Sequence, residues 1–256
     1  MIPGKCKKCS FTNKSGLNLS AQLDLPESAS PIAYAIFSHC FTCNKNYKAA
    51  AYVSKFLKEQ GIATLRFDFP GLGHSEGDFS NTTLTGYIED IIAASEFLRD
   101  KYEAPSILIG HSMGGAASIL ASSKIDSINL TATIAAPSRP GHLGERLKIA
   151  KEEARRFGVG GVMIQGKKYP LRWKFFRDID GHSFDDVMAL KACKYLVIHA
   201  RGDKTVPYSS AEELATWSGD PDNLVTLDGS DHLLNNREEA DFVASKIAEV
   251  FTALQK

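Results

Sequence analysis

Short, nearly continuous apolar runs alternate with segments whose apolar residues recur at helical spacing. Ala33 to Ser38 (AYAIFS) is one such run, and a helical pattern follows from about Lys48 to Gln60, where Gly61 stops it. Ile62 to Phe67 is the next run, ended by Pro70-Gly71-Leu72-Gly73. Between Tyr87 and Tyr102, Ile88, Ile91, Ile92, Phe97 and Leu98 mark one helical face, and Pro105 resets the chain. Ser106 to Gly110 (SILIG) then leads straight into the small-residue helix of Gly114-Gly115-Ala116-Ala117. Thr131 to Ala135, Tyr195 to Ala200 and Leu224 to Leu227 add further strands, and Glu238 to Leu254 closes as an amphipathic helix. Strands apolar on both faces and separated by helices predict an α/β fold, with a mostly parallel sheet covered on both sides. The looser alternation of Lys8 to Leu25 predicts an antiparallel hairpin at the sheet edge.

The rhythm breaks from Ser138 to about Leu190. This stretch holds a charged helical piece, Leu147 to Phe157, then a hairpin pattern from Val159 to Pro170 turning at Gln165-Gly166-Lys167. An insertion after a strand in the second half of such a sheet is placed to fold over a site, so residues 138–190 are expected to form a small cap. The absence of repeats, low-complexity tracts and long linkers makes 1–256 a single domain.

Composition narrows the function classes. Hydrophobic residues are 43% and charged ones 23%, which excludes disordered and fibrous chains. Thirty basic and thirty acidic residues cancel, against the basic excess that a nucleic-acid binder carries. Met1-Ile2-Pro3-Gly4-Lys5 lacks an apolar secretory segment, and no apolar run reaches the roughly 18 residues of a membrane span, so the expected location is the cytoplasm. Five cysteines, an odd number, argue against a disulfide framework. Cys6/Cys9 and Cys40/Cys43 each form a C-x-x-C, but their separation exceeds zinc-ribbon spacing, so neither metal nor cofactor is expected. Cys40 and Cys43 read either as two buried thiols or as a redox pair whose oxidation would distort their loop, and Cys193 reads as core.

The chemistry centres on Gly110-His111-Ser112-Met113-Gly114, a G-x-S-x-G set between an apolar strand and a helix. Small residues around the serine permit a sharp turn that lifts its hydroxyl above the sheet. Serine is a poor nucleophile at its ordinary pKa and needs a base, itself oriented by an acid. The candidate acid is Asp203, just past the strand Tyr195 to Ala200, and the candidate base is His232 in Gly229-Ser230-Asp231-His232. Asp228 and Asp231 are alternative acids, too near His232 in sequence for a natural geometry. His39, His111 and His199 lie at strand ends or within motifs and could also reach the site, whereas His74, His142 and His182 read as solvated loop residues. An oxyanion needs backbone donors. Met113 supplies one candidate N–H, and the loop Ser38-His39-Cys40-Phe41-Thr42-Cys43 supplies the other from Phe41, with Cys40 or Thr42 as alternatives.

The segments SHCFTCNK, RFDFPGLGHSEGDF, GHSMGG, RGDKTVP and SDH together resemble the α/β-hydrolase superfamily over nearly the whole chain. HCFTC with RFDFPGLGHSEG is similar in particular to hydrolase domains joined to OsmC-like domains in bacteria, and the chain reads as the hydrolase part standing alone. Cys40 stands where many relatives carry glycine. The resemblance implies hydrolysis of an ester, thioester or amide and a structural role for Asp68. It disfavours dehalogenase and epoxide-hydrolase chemistry, which uses a carboxylate where this chain has Ser112. The leading expectation is a cytoplasmic carboxylesterase for small acyl substrates, acting through Ser112, Asp203 and His232 without a cofactor. Amidase, peptidase or thioesterase activity is the alternative within the fold, and a non-catalytic binding or redox-sensing protein is the alternative outside it. Trp173, Phe175 and Phe176 could line an acyl pocket or anchor the cap. Its cations, Arg155, Arg156, Lys167, Lys168, Arg172, Lys174 and Arg177, read as a solvated face.

Overall fold

The computed structural model of the protein describes residues 6–27, 30–139, 141, 147–164, 166–189 and 193–255. The chain enters as the expected hairpin, β1 (Cys6–Thr12) antiparallel to β2 (Asn18–Asp24). β3 (Ala33–Ser38), α1 (Lys48–Glu59), β4 (Ile62–Phe67), α2 (Leu84–Lys101), β5 (Ile107–His111), α3 (Met113–Ser122) and β6 (Leu130–Ile134) follow in alternation. The segment after β6 holds α4 (Lys148–Phe157), the hairpin β7 (Val159–Ile164) and β8 (Lys167–Arg172), α5 (Trp173–Ile179) and α6 (Asp185–Ala189). β9 (Lys194–Ala200), α7 (Ser209–Trp217), β10 (Leu224–Leu227) and α8 (Arg237–Leu254) complete the chain.

The large sheet runs in the order β1-β2-β4-β3-β5-β6-β9-β10, antiparallel through β1, β2 and β4 and parallel from there on. Strand side chains alternate between two layers. Ile107 and Ile109 join Val53 and Leu57 of α1 and Val243, Ile247 and Phe251 of α8 on one face. Leu108 joins Ile88 and Ile91 of α2 and Ala116 and Ile119 of α3 on the other. This is the α/β architecture that the apolar runs predicted. Among the described residues, no helix is long and apolar enough to cross a membrane.

The structure departs from the sequence reading in three places. α2 starts at Leu84 rather than Tyr87, because the Thr83 hydroxyl accepts the Gly86 N–H at 2.9 Å and caps a turn with few apolar residues. α7 has no counterpart in the sequence reading; its buried face is only Ser210, Ala211, Leu214 and Ala215, too small to mark a period. The inserted segment holds α5 and α6 besides the expected helix and hairpin, while Gln165 and His142 lie outside the described residues.

Charged groups are also buried beside β2 and β4. The Arg66 Nε donates to Asp24 at 2.8 Å, and the Lys45 ammonium pairs with Asp68 with both side chains almost fully enclosed. In α2, Asp90 is buried and accepts a hydrogen bond from the Asn13 amide at 2.6 Å. Burial pushes the Asp90 carboxyl up to about 7, against the opposing effect of that hydrogen bond. A carboxyl raised in the folded state contributes most stability below its unfolded pKa of about 4, and that contribution is lost as pH rises through 7. Asp90→Asn keeps the acceptor for Asn13 and removes the buried charge. In denaturant titrations above pH 7 it should be more stable than wild type by on the order of 3 kcal/mol, with the difference vanishing near pH 4.

Candidate active site

β5 ends at His111 and α3 begins at Met113, so Ser112 alone joins strand to helix, at φ 53° and ψ −117°. That backbone region is rarely occupied by a residue with a side chain and costs on the order of 1–3 kcal/mol. The turn is held from several sides. The Ser112 N–H donates to the Ile134 carbonyl at 2.8 Å, and the Ser112 carbonyl accepts the Gly115 and Ala116 N–H groups. A Cβ on Gly110 would sit 2.3 Å from the Gly114 carbonyl oxygen, and one on Gly114 would sit 2.2 Å from the Ser38 carbonyl oxygen. Glycine at both positions lets strand, helix and the loop after β3 close on one another.

The structure brings Ser112, His232 and Asp203 together at the carboxyl ends of the parallel strands. The Ser112 Oγ lies 3.1 Å from His232 Nε2, and His232 Nδ1 lies 2.7 Å from Asp203 Oδ2. In the tautomer this requires, Nδ1–H donates to the carboxylate and Nε2 accepts the serine proton. Asp203 sits in the turn after β9, where its Oδ1 accepts the Thr205 N–H at 2.6 Å and the Val206 N–H at 3.0 Å. Burial raises the Asp203 pKa, but hydrogen bonds from His199 and His232 and the charge of His232 outweigh it. The carboxyl is held well below the usual range and stays ionised. The alternative acids do other work. Asp228 is 86% exposed and faces Arg201, while Asp231 shapes the histidine loop by accepting the Leu233 N–H at 2.9 Å.

The remaining histidines divide by burial. His199 donates from Nε2 to the Val206 carbonyl at 3.0 Å and lies 3.4 Å from Asp203 Oδ2, the same oxygen that His232 approaches, so it braces the acid. His111 lies beneath His232 and donates from Nε2 to the His232 carbonyl at 2.7 Å, with Tyr47 stacked on its ring at 5.4 Å. Burial and the neighbouring His232 push His111 down to about 3. Burial likewise pushes His39 down to about 4, against the hydrogen bond of its Nδ1–H to the Cys40 carbonyl. Its Nε2 accepts the Phe69 N–H at 3.3 Å. Both are fixed, neutral supports. His74 is exposed as expected, but His182 is held against Thr85 at 3.1 Å and Asp178 at 3.8 Å. The bracing role of His199 was not read from the sequence; its position four residues before Asp203, at a strand end, was the available signal.

The loop after β3 lies against the start of α3, which brings Phe41 and Met113 to the same end of the sheet. Met113 opens the helix, where first-turn N–H groups have no intrahelical acceptor. Tyr87 donates its hydroxyl to the Phe41 carbonyl at 3.0 Å. Asp68 accepts the Lys45 N–H at 2.6 Å and the His74 N–H at 2.9 Å, so it ties this loop to the one after β4 and agrees with a structural role. Of the two readings of Cys40 and Cys43, two buried thiols or an oxidisable pair, the structure departs from the first. A turn in which the Cys43 N–H donates to the Cys40 carbonyl brings the Cα atoms to 5.3 Å, and the two residues form a disulfide. Phe175 and Phe176 are fully buried, and Phe175 packs on Phe41 at 5.3 Å, so these rings anchor the inserted segment.

The chain resembles known proteins over most of its length. The model of the alpha/beta hydrolase family matches residues 35–246. The esterase domain of a Rhodothermus marinus protein is 34% identical, with a TM-score of 0.77 over 96% of this chain and 97% of that one. Est1E of Butyrivibrio proteoclasticus, solved with ferulic acid bound, shares the fold at 23% identity, with a TM-score of 0.78 over 96% and 98%. Mouse palmitoyl-protein thioesterase ABHD10, mitochondrial, is 24% identical over 256 residues, which cover 96% of this chain and 83% of that protein.

Gly114→Ala places a methyl group against the Ser38 and His39 carbonyl oxygens, which are backbone atoms and cannot step aside. Thermal and denaturant unfolding should show a loss of about 2 kcal/mol or more.

Proposed function

The chain belongs to the alpha/beta hydrolase family, as an enzyme of the serine hydrolase type, and from that premise we propose that it cleaves carboxylic esters of small acyl groups. The observation that carries the reading is the continuous relay from Ser112 Oγ through His232 to Asp203, at 3.1 and 2.7 Å. In the proposed mechanism the Ser112 oxygen attacks the acyl carbonyl carbon while His232 Nε2 takes its proton. Asp203 holds the imidazole and stabilises the imidazolium. The carbonyl oxygen, now an oxyanion, accepts the N–H groups of Met113 and Phe41, each worth about 3 kcal/mol in the transition state. His232 returns the proton to the departing alkoxide, leaving an acyl-Ser112. Water, deprotonated by His232, attacks that ester, and the acid leaves with Ser112 restored.

The inserted segment acts as a small cap over this site. Phe41 packs between Phe79 at 5.2 Å and Phe175 at 5.3 Å, so rings already occupy the space beside the oxyanion loop, which supports a short acyl group. Thioester cleavage is the second reading, because ABHD10 bears the name of a palmitoyl-protein thioesterase. The same relay would serve it, with a thiolate leaving in place of an alkoxide.

Intact-mass analysis after fluorophosphonate treatment tests the nucleophile: one adduct on wild type and none on Ser112→Ala is expected. A folded wild-type protein without an adduct would remove the hydrolytic reading. Turnover of matched short-chain oxoesters, thioesters and amides then ranks the substrates, with the oxoester expected first. Asp203→Asn leaves a donor facing His232 Nδ1 and favours the wrong tautomer. Its kcat for the preferred ester should fall by about 10⁴-fold while the protein stays folded by circular dichroism.

A further inference from the structure

The outer face of the inserted segment combines features that neither the core nor the relay uses. Ile149, Phe157, Val159 and Met163 are 79, 69, 44 and 62% exposed, and they fall within fifteen consecutive positions. On the helix and on the hairpin alike they lie on the side away from the buried residues. Ala150 and Ala154 turn the inner side of α4 toward the protein, which leaves Ile149 and Phe157 outside. In the β7–β8 hairpin, Val159 lies opposite Arg172, Gly161 opposite Pro170 and Met163 opposite Lys168, so these residues share the outer face. Val162 and Leu171 are buried on the inner one. The Gly161 N–H donates to Glu153 at 2.9 Å and fastens helix to strand.

Charge separates this face from an ordinary solvated one. Residues 147–180 carry nine Lys or Arg and four Asp or Glu, while the whole chain is neutral. The acids are engaged within the protein: Glu152 with Arg155, Glu153 with the Gly161 N–H, Asp178 with Thr85 and Asp180 with Lys151. Exposed Lys148, Arg156, Lys168 and Arg172 neighbour the apolar side chains in sequence or across the hairpin.

We propose that this face docks the protein on an anionic phospholipid bilayer surface, with Ile149, Phe157 and Met163 entering the headgroup region and the surrounding cations meeting lipid phosphates. A bilayer interface accepts apolar prongs and cations together. A second copy of the chain fits less well, because a twofold contact would set a net basic patch against itself. The inference is independent of the hydrolytic reading and is tested without a substrate.

The probe is cosedimentation with vesicles of phosphatidylcholine alone and of phosphatidylcholine with about one third phosphatidylserine, at low and high salt. Wild type should bind the anionic vesicles, and binding should weaken by at least about tenfold on neutral vesicles or in high salt. The double variant Phe157→Glu with Met163→Glu should lose about tenfold or more, with an unchanged melting curve and unchanged adduct formation with fluorophosphonate. Phe157→Ser provides a milder variant should the double one fold poorly. No binding of wild type to anionic vesicles, or equal binding by wild type and variants, would overturn the proposal. So would sedimentation velocity showing a wild-type dimer that these substitutions dissociate, since the face would then be an interface between copies.

Discussion

Everything at the site depends on the positive φ of Ser112. A residue with a side chain is held in a backbone region that costs energy, and the turn persists because neighbouring backbone over-determines it. β6 supplies the acceptor for its N–H, α3 closes hydrogen bonds on its carbonyl, and the glycines at 110 and 114 let three backbone segments approach within contact. The same constraint puts the Ser112 hydroxyl above the sheet edge and the Met113 N–H at a helix start. Parallel pairing of β5, β6, β9 and β10 then delivers Asp203 and His232 to that edge, from loops far apart in sequence.

Around this turn, charged and polar groups are buried where they hold position. The Lys45–Asp68 and Arg66–Asp24 pairs are almost wholly enclosed, and Arg66 also donates to the Lys45 carbonyl. Burying such pairs costs desolvation energy, so they are weak arguments for stability, but removal of one partner leaves an uncompensated charge. What they accomplish here is geometric: Asp68 gathers N–H groups from the loops after β3 and β4 and so fixes the loop that carries Phe41.

The histidines show how one residue type is given different tasks. His39 and His111 are fully buried, pushed well below the ordinary imidazole pKa, and serve as neutral donors to carbonyls. His199 is enclosed beside Asp203. His232 retains 13% side-chain exposure and faces both the serine and the acid.

The sequence by itself determined what is local or periodic. Alternating apolar runs specified the parallel sheet, G-x-S-x-G between a strand and a small-residue helix located the turn at Ser112, and chain order put forward Asp203 as candidate acid and His232 as candidate base. Only the tertiary structure decided the rest, because each such feature depends on partners distant in sequence. Asp203 was separated from Asp228 and Asp231 by which carboxylate the sheet carries beneath His232. His199 became its brace, and Tyr87 the anchor of the Phe41 loop, through packing that no spacing records. α7 escaped a periodic reading because its buried side chains are small, and Phe175 and Phe176 were resolved as anchors by their burial against Phe41. A helix and hairpin were legible in the insertion, but which of their apolar residues stay in solvent is set by the surfaces they meet.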